Sequence, residues 1–575
     1  MSTIAVSTAI TSGRGALMNV RQRSLLMAKW RVLWVVAAFS LIGLIAVLRI
    51  LFLGLFAGST SASESILTAP ATRGDIVDRN GVPLARAFPA YALWYNPAAL
   101  GGDGPPLVRS PREVAQALTR IFPDMNAAEL EKRLADGKPG YLRRRILPED
   151  ANRIHLLGEP ALEFPRELER FYPQGSMAAH ILGFVGADGQ GHVGMEEVFN
   201  KRLTDPATRA APAMLSIDTR VQGALEDELS RGMADTAAKG AAGIVLDVDS
   251  GEVLALASLP SFNPNLIDRA GASNIFNRFT NQVYELGSTF KPITIAAAID
   301  AGVVTDMSRR YQSDRPLSIS GFEIHDSHNF GASLNVPEAL IHSSNIVTAQ
   351  VADQLGAANL NATMRALGMD QRAQIELPAK GFPIWPKGDW SRITTMTVSY
   401  GHGIAVTPLH LASAYAALVN GGIWRPATLM KVDPGHANPG RRVFKASTSA
   451  RMRQLLRLIV DIGTGRKANA AGYRVGGKTG SAEKPGAGGY SKSSLVATFA
   501  AAFPMDHPRY VIITMLDEPQ GTAASQGQRT AAFNAAPIVG RVVPRIGPLL
   551  GVMPDETRDV DISDLAPLIA SGEGE

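Results

Sequence analysis

Residues 32–48 are seventeen in a row without a charge and almost wholly apolar, and after a lone Arg49 the apolar run resumes through residue 57. That length predicts a membrane-spanning helix. It exceeds the core of a usual signal peptide, so an uncleaved anchor fits better than a cleaved leader. Residues 242–257 show two nearly continuous apolar runs around an Asp-Ser-Gly turn, which predicts strand, turn and strand in a sheet covered on both faces. Residues 495–503 and 510–516 form a second such pair across Pro-Met-Asp-His-Pro. Mostly helical patterns lie between the pairs, including Pro408–Val419. Strands at both ends of a helical insertion predict an α+β architecture whose sheet closes late in the chain.

Upstream, Asp78-Arg-Asn-Gly81 reads as a turn between two short β-type runs. Helical patterns follow at Pro111–Ile121 and Ala127–Ala135, and the Ala- and Pro-rich residues 207–213 read as a linker. Asp218 can cap a helix running toward residue 237. The expected map is a cytoplasmic arm at 1–31, an anchor at 32–57, an elongated mixed pedestal at 64–214, a main domain at 215–550 and a disordered acidic tail at 551–575.

Charge settles the topology and excludes one function class. The formal net charge is +5, and Arg14, Arg21, Arg23, Lys29 and Arg31 lie in the first 31 residues, which hold no acid. The rest balances at 52 basic against 52 acidic residues. A nucleic-acid groove would leave an excess in the folded part. Basic residues cluster only before the anchor, which places the arm in the cytoplasm and the bulk of the chain outside it. The absence of cysteine excludes disulfides and thiolate metal sites. Ten histidines without a His-Glu-x-x-His spacing point to no catalytic metal, and no cofactor is expected.

The candidate chemistry lies in residues 284–299, where Gly287-Ser288 is followed by Lys291, Pro292 and an alanine-rich apolar run. Proline is tolerated only in a first turn, so the helix should begin close to Ser288. Residues three apart share a helix face, so the Lys291 amine can lie beside the Ser288 hydroxyl as its base. Taken alone, the stretch reads more readily as a capped helix, with Ser288 as N-cap and Lys291 solvated.

Two more motifs change that reading. Ser343-Ser-Asn345 stands just ahead of a helical pattern at 346–355, and Lys478-Thr-Gly480, followed by Ser481, stands in a strand-like stretch. Ser-x-x-Lys, Ser-x-Asn and Lys-Thr-Gly in this order mark penicillin-binding proteins and related β-lactamases. Arg73-Gly-Asp-Ile-Val-Asp-Arg-Asn-Gly81, Tyr172-Pro, Gly191-His-Val-Gly-Met-Glu196 and Gly403-Ile-Ala-Val-Thr-Pro408 resemble segments of the monofunctional, class B members, and within them the septal cell-division form. The resemblance covers roughly residues 70 to 548. Leu286 departs from it, where proline is common, and so does Ser481, where threonine is common.

The resemblance implies the penicillin-binding transpeptidase fold, with a central antiparallel five-stranded sheet flanked by helices. It implies a peptidoglycan D,D-transpeptidase working through a serine acyl-enzyme, with Ser288 as nucleophile, Lys291 as a neutral base and Ser343 as proton relay. Asn345, Lys478, Thr479, Gly480 and Ser481 would bind substrate, and the N–H groups of Ser288 and Ser481 would form the oxyanion hole. His325, Asp326 and His328 are assigned to a loop, because the lysine leaves no vacancy for a histidine base. The implied partners are peptidoglycan stem peptides, β-lactams, a membrane-embedded glycan polymerase and other divisome proteins, at the inner membrane with a periplasmic catalytic domain. The alternatives are an elongation-specific class B transpeptidase and, further off, a β-lactam sensor, a β-lactamase or a non-catalytic divisome scaffold.

Overall fold

The computed structural model describes residues 73–569 except 102–104, 187 and 487–488, together with 30, 33–34, 36–37, 39–41 and 43–44. The chain divides into two units, Met1–Ala71 and Thr72–Glu575. In the first unit the described positions are helical, and Trp30, Leu33, Trp34, Val36, Phe39, Leu41 and Leu44 are all exposed. Among the described residues no helix is long and apolar enough to cross a membrane. Nearly all of the arm and more than half of the expected span at 32–57 lie outside the described residues.

The second unit begins with the expected hairpin. Ile76–Val77 pairs antiparallel with the long strand Pro83–Tyr95, and the Asp78 carboxylate accepts from Asn80 N and Val82 N to close the turn. The long strand anchors a six-stranded sheet with Gly140–Ile146, Leu162–Glu163, Arg166–Phe171 and Ala213–Met214. Residues 207–213 do not form a free linker. Their end pairs in parallel with Ile76–Val77, and Ala213 N donates to Asp75 O.

Three of the family-like segments meet in one buried cluster. Glu196 accepts from Arg73 Nε at 2.7 Å and Arg170 Nε at 2.6 Å, and Tyr172 Oη reaches the same carboxylate at 3.3 Å. Arg73, Arg170, Tyr172 and Glu196 are all buried. A buried carboxylate persists because two guanidinium groups and a phenol compensate its desolvation. The Asp78 turn also fastens the first sheet to the following domain, since Asp78 Oδ2 accepts from Thr219 N and Oγ1 at the start of the next helix.

That helix, α1 (Thr219–Asp235), is capped by Asp218 as expected. The expected sheet follows as β1 (Gly240–Asp247), β2 (Val253–Leu259), β3 (Gly476–Gly486), β4 (Gly489–Phe503) and β5 (Tyr510–Asp517). Its order is β3-β4-β5-β1-β2, antiparallel throughout. Alternate side chains go to opposite layers. Val245, Phe499 and Ile512 pack with Val221, Leu225 and Leu229 of α1 and Ile538 and Val542 of the last helix, Ala535–Ile546. Ile244, Ala500 and Ile513 pack on the other side with the central helices. Two covered faces explain the unbroken apolar runs.

The central helices are α2 (Lys291–Asp300), α3 (Val336–His342), α4 (Asn345–Leu355), α5 (Pro408–Val419) and α6 (Ala446–Asp461). The acidic tail is ordered through residue 569, against the expectation of disorder. Asp559 pairs with Arg457 and Asp564 with Arg451 along α6, Leu565 is fully buried, and Leu568 O accepts from Asn335 Nδ2. Its acids have basic partners on one helix and its leucine has a hole in the core, which composition alone does not disclose.

Candidate active site

The site lies where the start of α2, the α3–α4 turn and the edge strand β3 converge. A 3-10 turn, Gly287–Phe290, leads directly into α2, and Pro292 occupies the first turn. Tyr415 of α5 steadies this start from behind by donating to Thr289 O at 2.9 Å. Gly480 lets β3 lie against the same turn, since a Cβ there would come within 2.4 Å of Leu286 O. Between α3 and α4, Ser343 adopts φ 63° and ψ 43°, a left-handed conformation unusual for a side-chain-bearing residue. Such geometry persists only where surrounding contacts over-determine it.

Those contacts come from two lysines. Ser343 Oγ lies 3.1 Å from Lys291 Nζ and 2.9 Å from Lys478 Nζ, and Lys291 also donates to Ser343 O. Lys478 Nζ further donates to Thr479 O at 3.1 Å and to Thr479 Oγ1 at 3.2 Å. Thr464, which sequence reasoning missed, adds its hydroxyl at 3.0 Å from Thr479 Oγ1. Both lysines are fully buried. Burial holds Lys291 well below an ordinary lysine pKa, with the Lys478 cation pushing further down and Asp326 opposing. Burial brings Lys478 down to about 7.

Lys291, Ser343, Lys478 and Thr479 thus form one hydrogen-bonded chain. The remaining expected residues are differently engaged. Lys291 N–H donates to Ser288 O within the turn, but among the described residues no hydrogen bond joins the Ser288 hydroxyl to the Lys291 amine, and Ser288 is half-buried at the head of its turn. Asn345 Nδ2 donates to His325 O at 2.9 Å, and Ser481 Oγ accepts from Ala531 N at 2.9 Å. Beside the Ser288 turn, Glu285 gathers Tyr490 Oη, Gly403 N and His402 Nδ1 at 2.9, 3.1 and 3.0 Å.

Asp326 lies in a loop as expected, yet it does more there than a solvated loop acid. Its carboxylate accepts from Asn345 N at 2.5 Å, Ile346 N at 3.1 Å and Ser344 Oγ at 2.6 Å. No spacing rule links a loop acid to a motif that far downstream, so the sequence carried no signal for it. The neighbouring histidines do behave as loop residues: His325 pairs with the exposed Glu323, and His328 contacts Ser327 Oγ.

A buried amine chain opposite a serine at a helix start is an acyl-transfer site in outline, and the sequence comparisons supply the family. Residues 241–537 match the family model described as the penicillin binding protein transpeptidase domain, and residues 68–205 match that of the penicillin-binding protein dimerisation domain. The chain belongs to the class B penicillin-binding proteins. Among relatives, it is 40% identical over 494 residues to the probable peptidoglycan D,D-transpeptidase FtsI of Caulobacter vibrioides, covering 84% of this chain and 82% of that one. It is 31% identical over 530 residues to the peptidoglycan D,D-transpeptidase FtsI of Escherichia coli K12, covering 88% and 87%. A crystal structure of penicillin binding protein 3 from Mycobacterium tuberculosis, complexed with aztreonam, superposes with a TM-score of 0.65 at 25% identity, covering 84% of this chain and 97% of that one.

Proposed function

We propose that this penicillin-binding protein is a peptidoglycan D,D-transpeptidase that cross-links stem peptides during division. The carrying observation is the buried Lys291–Ser343–Lys478 chain set against the Ser288 turn. Serine is a poor nucleophile until a base takes its proton, and a lysine stripped of solvent is such a base. Ser288 Oγ attacks the carbonyl carbon of the D-Ala–D-Ala bond while its proton passes to Lys291. The carbon–nitrogen bond breaks, Ser343 hands a proton to the departing amine, and D-alanine leaves an ester on Ser288. The amine of a second stem peptide then attacks that ester and restores the serine.

Lys478 and Thr479 hold the terminal carboxylate, Asn345 the substrate amide, and the N–H groups of Ser288 and Ser481 the developing oxyanion. One such donor is worth about 3 kcal/mol in other acyl-transfer enzymes. Gly480 leaves room for close approach along the edge strand. A β-lactam would open on Ser288 by the same first step.

The likeness to two proteins named FtsI favours the septal role over the elongation-specific alternative. The domain reading is an arm at 1–31, an anchor at 32–57, a pedestal at 64–214 and a catalytic domain at 215–550, held periplasmic at the inner membrane. The exposed apolar helical positions from Trp30 to Leu44 support an anchor in lipid. The pedestal would dock a membrane-embedded glycan polymerase and other division proteins. Release of D-alanine from a donor stem peptide by the purified chain, lost in Ser288→Ala, tests the reaction. Depletion tests the role: filaments support division, and round cells would overturn it for elongation.

A further inference from the structure

The Ser343–Asn345 turn carries a relay and a binding residue, yet its own backbone is strained at Ser343 and needs a support. Beyond the two lysines that hold Ser343, a further support for the turn comes from outside the three motifs. Asp326 follows the hairpin of Leu317–Ile319 and Phe322–Ile324. The hairpin is fixed from behind, with Ile319 and Ile324 packed on Ala349 of α4 and on Met396 and Tyr400. From there the Asp326 carboxylate takes the first two backbone N–H groups of α4 and the Ser344 hydroxyl. The carbonyl of His325 takes the Asn345 side-chain amide. A carboxylate at a helix N-terminus is favoured by the orphan N–H groups and the positive end of the dipole.

We propose that Asp326 is a positioning residue of the acylation step, fastening the Ser343–Asn345 turn under the lysine pair and placing a compensating negative charge there. The proposal rests on the reading of Ser288 as the acylated nucleophile. The charged groups facing Lys291 are Lys478 from β3 and Asp326 from this loop. His325 is turned away onto Glu323, and both are more than half exposed. His342, on α3 beside Ser343, is exposed with its ring against Phe330. Two buried amines around one hydroxyl leave a net positive charge in a dry site, and a nearby carboxylate offsets it. Asp326 therefore acts on the reaction both through geometry and through the proton affinity of the base.

The two effects are separable by substitution. Asp326→Asn keeps an oxygen for the Asn345 and Ile346 N–H groups but removes the charge. Asp326→Ala removes both. The measurement is the rate of adduct formation with a fluorescent penicillin from about pH 5 to 9, with a thermal melt of each variant. Asp326→Asn should move the acid limb of the profile to lower pH by about half a unit or more, because Lys291 loses a neighbour that favours its charged form. Asp326→Ala should acylate about tenfold or more slowly at every pH, with Asn restoring most of that loss. A purely structural role would leave the limb in place. An Asn profile superimposable on wild type overturns the electrostatic part, and an Ala variant acylating at the wild-type rate overturns the positioning part. Should Ala fail to melt cooperatively, the Asn profile decides alone. Failure of wild type to form any adduct on Ser288 would instead sink the parent reading.

Discussion

Lys478 Nζ lies 2.9 Å from Ser343 Oγ, on the same hydroxyl that Lys291 reaches at 3.1 Å. One hydroxyl between two fully buried amines forces the pair to titrate unlike free lysines. On the proposed mechanism acylation needs Lys291 uncharged and Lys478 charged, so its rate should rise with pH through the depressed Lys291 value and fall as Lys478 discharges near pH 7. A rate–pH profile flat from pH 5 to above about 9 would contradict this.

Stability should move the other way at Lys478. A base depressed on folding binds fewer protons in the native state than in the unfolded chain between about 7 and the free lysine value near 10.4. Its destabilising effect is therefore full below about pH 7 and relieved as pH rises toward 10. Lys478→Met removes the buried ammonium and should stabilise the protein by about 2 kcal/mol at neutral pH while abolishing efficient acylation. Melting curves of wild type and variant across that pH range check both the sign and the window.

Gly480→Ala should harm the site by sterics alone. The added Cβ would sit 2.4 Å from Leu286 O and 2.7 Å from Thr289 Cγ2, so β3 must retreat from the Ser288 turn. A loss of about 1–3 kcal/mol in stability is expected with a slower adduct rate, read by melting and by penicillin labelling.

Much of this was legible in the chain. Periodicity alone located β1, β2, β4 and β5, because a sheet covered on both faces writes long apolar runs. Pro292 fixed where α2 begins. The three motifs indicated which distant segments meet, although Ser288 and Lys291 read more readily as a capped helix until the other two were found. What stayed hidden was tertiary. Asp326 and Thr464 act through contacts that no spacing encodes, and the tail's order depends on Arg451 and Arg457 standing along one helix.

Glu196→Ala tests the cluster far from the chemistry. It would leave Arg73 and Arg170 buried without their carboxylate, costing about 3–5 kcal/mol. A lower melting temperature is expected, with the acylation rate of the folded protein at 25 °C little changed. A variant as stable as wild type would show that the cluster does not hold the first sheet.

Leu565→Ala probes the ordered tail. A fully buried leucine should cost about 2–5 kcal/mol on truncation, whereas a free tail would tolerate the change.

The central claim is that Ser288 forms the acyl-enzyme. Labelling the purified protein with a fluorescent penicillin and mapping the adduct by peptide mass spectrometry tests it most directly. The account predicts a stable adduct on the peptide carrying Ser288 and none in Ser288→Ala. An adduct that survives Ser288→Ala, or maps to another residue, would contradict it.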